Sequence, residues 1–169
     1  MLIPLLCLLA TLTTPVRAET WAWEPLDTLG DSSRSAPSMR SEAASVWTGH
    51  EVLVWGGRGA KVVNGSVLLG DGARYDPASD TWRPMSSGGD SSRSAPSARA
   101  SAGAVWTGRE MLVWGGEGLH QTPTRHFGNV TGGARYDPAS DTWRPMATMG
   151  APPPLQDPAC VWTGTELVV

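Results

Sequence analysis

The residues of this chain that could do chemistry are few. In 169 positions there are three histidines, two cysteines, two tyrosines and thirteen lysines and arginines. His120 and His126 stand six apart in one polar stretch, a minimal metal-ligand pattern, while His50 belongs to a separate turn. No carboxylate pair at acid–base spacing, no nucleophile elbow and no phosphate-cradling glycine loop occurs. Catalysis and cofactor binding are therefore not expected of these residues. The cations are the more suggestive set. Arg34, Arg40, Arg58, Lys61, Arg93, Arg99 and Arg125 all fall in polar connecting stretches of a chain whose net charge is −3. Arginine forks match carboxylate and sulfate groups bidentately, so a partner carrying such groups would suit them. An acidic chain offers no electrostatic footprint for nucleic acid.

The first eighteen residues are of another kind. The apolar run from Leu2 to Leu12, followed by Val16-Arg17-Ala18, reads as a secretory signal with a cut after Ala18, too short to span a bilayer. Export to the periplasm, cell surface or medium follows, with no membrane span after cleavage. Cleavage also removes Cys7 and leaves Cys160 alone, so no internal disulfide is expected and packing must hold the fold.

The elements that carry the cations come from a repeat. Gly30-Asp31-Ser32-Ser33-Arg34-Ser35-Ala36-Pro37-Ser38 recurs unchanged from Gly89 to Ser97, and the twelve residues 74–85 recur word for word at 135–146. Trp47 recurs at Trp106 and again at Trp162. Fixed words at slightly varying spacing mean strands of constant length joined by loops of differing length. With 20 Gly, 14 Pro, 9 Trp and only 17% charged residues, a helical array is excluded.

Each unit parses into four short strands, a to d. Residues 43–47 and 51–55 flank a Thr-Gly turn and form a and b. Gly72-Ala73-Arg74-Tyr75 is c, and Asp76-Pro77-Ala78-Ser79-Asp80 supplies the next turn. Thr81-Trp82-Arg83-Pro84-Met85 is d, placed at an outer edge because Pro84 cannot donate to a ladder. Four antiparallel strands with a greasy inner pair is the plan of a propeller blade.

A b strand ending in Gly56-Gly57 or Gly115-Gly116, then Tyr75 or Tyr136, then Trp82 or Trp143, resembles the kelch motif. The resemblance runs from Trp21 to Val169, and its local spelling resembles the kelch repeats common in exported bacterial proteins. It implies an all-β propeller in which the glycines permit close backbone approach and the rings fill the space between blades. The implied organisation is a signal peptide (1–18), a closing d strand and d–a loop (19–42), one blade (43–85), a d–a loop (86–101), a second blade (102–146) and a partial third (147–169). Closed propellers need about four or more blades. An incomplete ring of some two and a half blades leads to the expectation that the chain is part of a longer kelch protein, with assembly of several copies into one ring as the alternative.

In such a meander the a–b and c–d turns share one face and are minimal, while the b–c and d–a connections share the other and are long. Binding is expected on the long-loop face, through Arg58, Lys61, Arg93, Arg99, His120 and Arg125, with a protein or glycan as partner. The resemblance also extends to galactose oxidase, whose propeller is kelch-like, so the alternative function is the non-catalytic N-terminal part of a secreted propeller enzyme. Its copper chemistry needs free tyrosines, histidines and a cysteine. Here Tyr75 and Tyr136 occupy packing slots, and Cys160 aligns with the small residues Ser45 and Ala104.

Overall fold

A computed structural model describes residues 36–60, 67–87, 95–120 and 126–169. Among these residues thirteen short strands carry the fold: β1 (Ala44–Trp47), β2 (Val52–Trp55), β3 (Gly72–Asp76), β4 (Thr81–Pro84), β5 (Arg99–Ala100), β6 (Gly103–Trp106), β7 (Met111–Trp114), β8 (Glu117–His120), β9 (His126–Asn129), β10 (Gly133–Asp137), β11 (Thr142–Pro145), β12 (Val161–Trp162) and β13 (Leu167–Val168). No helix among the described residues is long and apolar enough to cross a membrane. The chain is all-β.

The two copies of the repeat fold alike. β1-β2-β3-β4 and β6-β7-β10-β11 are each a four-stranded antiparallel sheet in chain order, and β12-β13 repeats the first hairpin of that plan. Among the described residues every sheet is open; none closes on itself. Register follows the words of the sequence. Tyr75 stands opposite Trp82 and Tyr136 opposite Trp143, with ring centroids 5.0 Å apart in both pairs.

The turns explain their own spelling. Thr48 Oγ1 accepts the Glu51 backbone N–H at 3.0 Å, and the Thr48 N–H closes the turn on Glu51 O at 3.0 Å. Thr107 and Thr163 repeat that arrangement with Glu110 and Glu166. The glycine after each threonine takes a positive φ of 94–104°. In the c–d turn, Asp76 and Asp137 cap the N–H of Ala78 and Ala139 at 2.9 Å, an Asx turn. Asp80 and Asp141 close it at φ near 50° and accept the tyrosine hydroxyls, 2.8 and 2.6 Å away.

The core lies between the two repeat sheets. Alternation along β2 sends Leu53 and Trp55 to the side of the second sheet, where with Met85 they meet Met111, Val113, Ala134, Tyr136 and Trp143. The Trp55 and Trp143 rings meet edge to face, centroids 5.5 Å apart. Trp143 Nε1 donates to Ser86 O at 3.0 Å, and the Ser86 N–H donates to Asp141 Oδ1 at 2.9 Å. Tyrosine, tryptophan and the turn aspartate of one repeat thus seal against the repeat before it.

One sheet departs from the four-strand plan. Residues expected to form a loop after β7 build the hairpin β8–β9, which with β5 makes a three-stranded sheet. In the first repeat the described residues at the same place hold the isolated bridges Ser41↔Arg58 and Arg58↔Leu68. The tail of β7 and its Gly-Gly pair turn the chain straight into new ladder bonds, so part of the expected loop is strand.

Candidate binding face

The glycine doublets set the geometry of this face. Gly57 N–H donates to Arg99 O and Gly116 N–H to Leu155 O, both at 2.8 Å, so each repeat is stitched to the next. Gly56, Gly57, Gly115 and Gly116 all have positive φ, and a Cβ on Gly56 or Gly115 would lie 2.7 Å from the carbonyl oxygen of Arg99 or Leu155. Glycine is needed there for both reasons.

A second relay runs beside the first. Ser101 N–H donates to Glu42 O, and Asp157 N–H to Ser101 O. These three residues hold the same position in successive units and share left-handed φ values of 55°, 52° and 50°. Glu42 Oε2 also takes the Ser101 hydroxyl at 3.1 Å and Arg58 Nε at 2.8 Å. Arg58 Nη2 reaches Glu117 Oε2 at 2.6 Å. Its bond to Arg58 holds the Glu42 carboxyl below the usual carboxylate range and raises Arg58 in turn.

Arg99 is not on the binding surface assigned to it from the sequence. It is only 5% exposed, and its Nη1 donates to Gly115 O and Gly132 O, both at 2.9 Å. Nε and Nη2 hold Ser97 O and Oγ. Burial pushes its pKa down to about 10, so it stays charged at neutral pH as an internal clamp. Arg40, its counterpart in the first repeat, does the same with Gly56 O, Asp71 O and the Asp71 carboxylate. An arginine that recurs at a fixed place among scaffold words was the available clue, since a clamp must recur wherever the scaffold does.

Arg58 does lie at this end, but its charge is matched by Glu42 and Glu117. His120 Nε2 pairs with Asn129 O at 3.1 Å, and its ring stacks on His126, centroids 5.1 Å apart and planes 7° from parallel. The β8–β9 hairpin also presents Phe127, 48% exposed. Lys61, Arg93 and Arg125 lie outside the described residues. The face as described is thus an aromatic and imidazole platform beside a Glu–Arg–Glu network in which two carboxylates outweigh one guanidinium. Sequence reasoning missed Glu42, Ser101 and Phe127, whereas a local pairing of the loop arginines with Glu117 could be read from the sequence and is what Arg58 makes.

On the opposite face Glu51 grips Arg74 bidentately, both contacts 2.9 Å, and Arg74 Nη1 donates to Pro138 O of the next repeat at 2.7 Å. Cys160 is a free, half-buried thiol whose pKa burial raises, and Gly103 leaves room for it. Among the described residues no group of three His, Cys, Asp or Glu gathers to hold a metal ion. No family model matches the chain, and no curated protein matches its sequence.

Proposed function

We propose that this chain is an exported, kelch-like β-propeller segment that serves as a non-catalytic binding module, taking a protein or glycan through its b–c and d–a connections. The observation that carries this reading is the asymmetry of the repeat pair. One end is closed by short turns whose polar groups bond among themselves, and at the other the β8–β9 hairpin exposes Phe127 and His126, with the half-buried His120 stacked beneath His126. Loops on a rigid scaffold are the usual seat of recognition, and exposed rings suit sugar faces and apolar side chains. The two four-stranded repeat sheets, sealed by tyrosine and tryptophan, support the blade architecture. The leader at 1–18 supports export.

The test presents the intact chain to an array of neutral, uronic-acid and sulfated oligosaccharides, at low and at physiological salt. Saturable binding is expected, weakened at least about fivefold by Phe127→Ser. Lys61→Ala with Arg125→Ala is expected to lower affinity for the acidic sugars only. Binding that all three substitutions leave unchanged would remove this face from the proposal.

A further inference from the structure

The ladder of the β8–β9 hairpin sets two imidazoles side by side. His120 stands directly opposite His126, and Gly118 opposite Gly128. Side chains alternate along a strand, so these four positions share one face of the hairpin while Leu119 and Phe127 share the other. Gly128 keeps the first face open for a ring, because a Cβ there would lie 3.2 Å from Cδ2 and Nε2 of His120. The two ring centroids are 5.1 Å apart, with His120 half-buried and His126 exposed. Strand register thereby turns a spacing along the chain into a juxtaposition in space.

The hydrogen bond on His120 decides which of its nitrogens can act as a ligand. Nε2 lies 3.1 Å from Asn129 O. A carbonyl oxygen only accepts, so Nε2 carries the proton and the neutral ring keeps its lone pair on Nδ1. A metal-bound histidine has the same arrangement: its second nitrogen donates to a backbone carbonyl, which fixes the tautomer and the ring. The separation of the rings fits as well. A tetrahedral ion with metal–nitrogen bonds of about 2.0–2.1 Å holds the centroids of two imidazoles about 5 Å apart. The planes lie 7° from parallel, so one ring must turn to point at a shared ion. His126 is the exposed one, and the terminal torsion of a histidine is soft.

We propose that His120 and His126 form a two-imidazole site for a divalent transition-metal ion of the zinc or copper class, with water in the remaining positions. Imidazole suits these ions and not Mg²⁺ or Ca²⁺, which take oxygen ligands. The ion pins β8 to β9 at the last pair of their ladder and sets a cation with exchangeable positions on the long-loop face. The site is independent of whether that face takes a protein or a glycan.

The intact chain, stripped with EDTA and dialysed, is titrated with ZnCl₂ by calorimetry and with CuCl₂ by visible absorption. Saturable 1:1 binding is expected, with a dissociation constant on the order of 10 µM because two of four positions are left to water. Losing even an outer hydrogen bond of a ligating histidine costs about 10–100-fold. His126→Ala, an exposed position, and His120→Asn should therefore each weaken Zn²⁺ binding at least about tenfold. His50→Asn removes the exposed histidine of the short-turn end and leaves the affinity unchanged. Zn²⁺ should also slow amide exchange in β8 and β9 of the parent chain and not of His126→Ala. No saturable binding, equal binding of Mg²⁺, binding that both hairpin variants leave unchanged, or its loss with His50→Asn would each overturn the proposal.

Discussion

Replacing Arg99 by alanine should be among the most damaging single changes in the described residues, although the position lies in a Ser-, Pro- and Arg-rich stretch. The side chain satisfies Gly115 O and Gly132 O at 2.9 Å inside the protein, and both carbonyls lose their donor when it is truncated. Each buried polar group left unpaired costs about 1–3 kcal/mol. Relief of the desolvated guanidinium, whose pKa burial has lowered to about 10, returns part of that. The net loss is set at about 3 kcal/mol. For a chain of this size that is roughly 6–12 °C in Tm. Arg40→Ala removes the matching clamp, but its acceptor Asp71 is 53% exposed and water can replace the guanidinium, so about 1 kcal/mol is expected. The assay is urea unfolding followed by tryptophan fluorescence, with the two variants beside the parent chain and the m-value checked for constancy. A loss below about 1 kcal/mol at Arg99, or equal losses at Arg40 and Arg99, would refute the assignment of Arg99 as a buried clamp.

Other outcomes follow from the same geometry. Trp55 and Trp143 are equally buried, but Trp55 Nε1 has no partner among the described residues while Trp143 donates to Ser86, so Trp55→Phe should cost about 1 kcal/mol less than Trp143→Phe in the same unfolding assay. Gly56→Ala meets the Arg99 carbonyl as well as a strained φ, whereas Gly49→Ala meets only strain with open space around it; the first should unfold at clearly lower urea. Glu117→Arg places like charges where Arg58 now holds a carboxylate, and should cost about 2 kcal/mol against about 1 for Glu117→Gln. Glu42 is held low by its bond to Arg58 and Asp76 by the Ala78 N–H; for Asp137 the Ala139 N–H and Arg109 outweigh burial. Depressed carboxyls give stability that is complete above their ordinary pKa near 4 and lost as pH falls through the lowered values. The urea midpoint should therefore hold from pH 7 to about 5 and drop below about 4; a drop centred near pH 6 would contradict this.

The repeat sheets were legible because every constraint on them is local. The Thr-Gly and Asp-Pro-Ala-Ser-Asp turns name their own hydrogen bonds, and Leu53 and Trp55 alternate along one strand. The hairpin β8–β9 was not legible. Glu117-Gly118-Leu119-His120 has neither β-branched alternation nor a turn signature, and only its ladder with His126–Asn129 makes it strand. Arg99 was misplaced for a related reason. A polar context reads as solvent-exposed, yet the carbonyls it binds come from Gly115 and Gly132, sixteen and thirty-three residues away, and no local pattern announces them. The left-handed φ of Glu42, Ser101 and Asp157 is equally silent, since nothing in those residue types demands it.

Repetition itself restricts what this face can be made of. When identical units stack in sequence, residues at the same repeat position become neighbours, as Glu42 and Ser101, Ser101 and Asp157, and Arg58 and Glu117 do here. An exact copy would set arginine against arginine, or glutamate against glutamate, at separations near 3 Å with little water between them, and like charges there cost several times a surface pair. The strand words can be copied without penalty because a ring packs on a different residue of the preceding repeat, Trp143 on Trp55 and Ser86. Residues that meet their own counterparts cannot be copied. The alternation of Arg58 with Glu117 is therefore a requirement of stacking, and on the described face variable charge marks the line where the repeats join as much as any place where a ligand would bind.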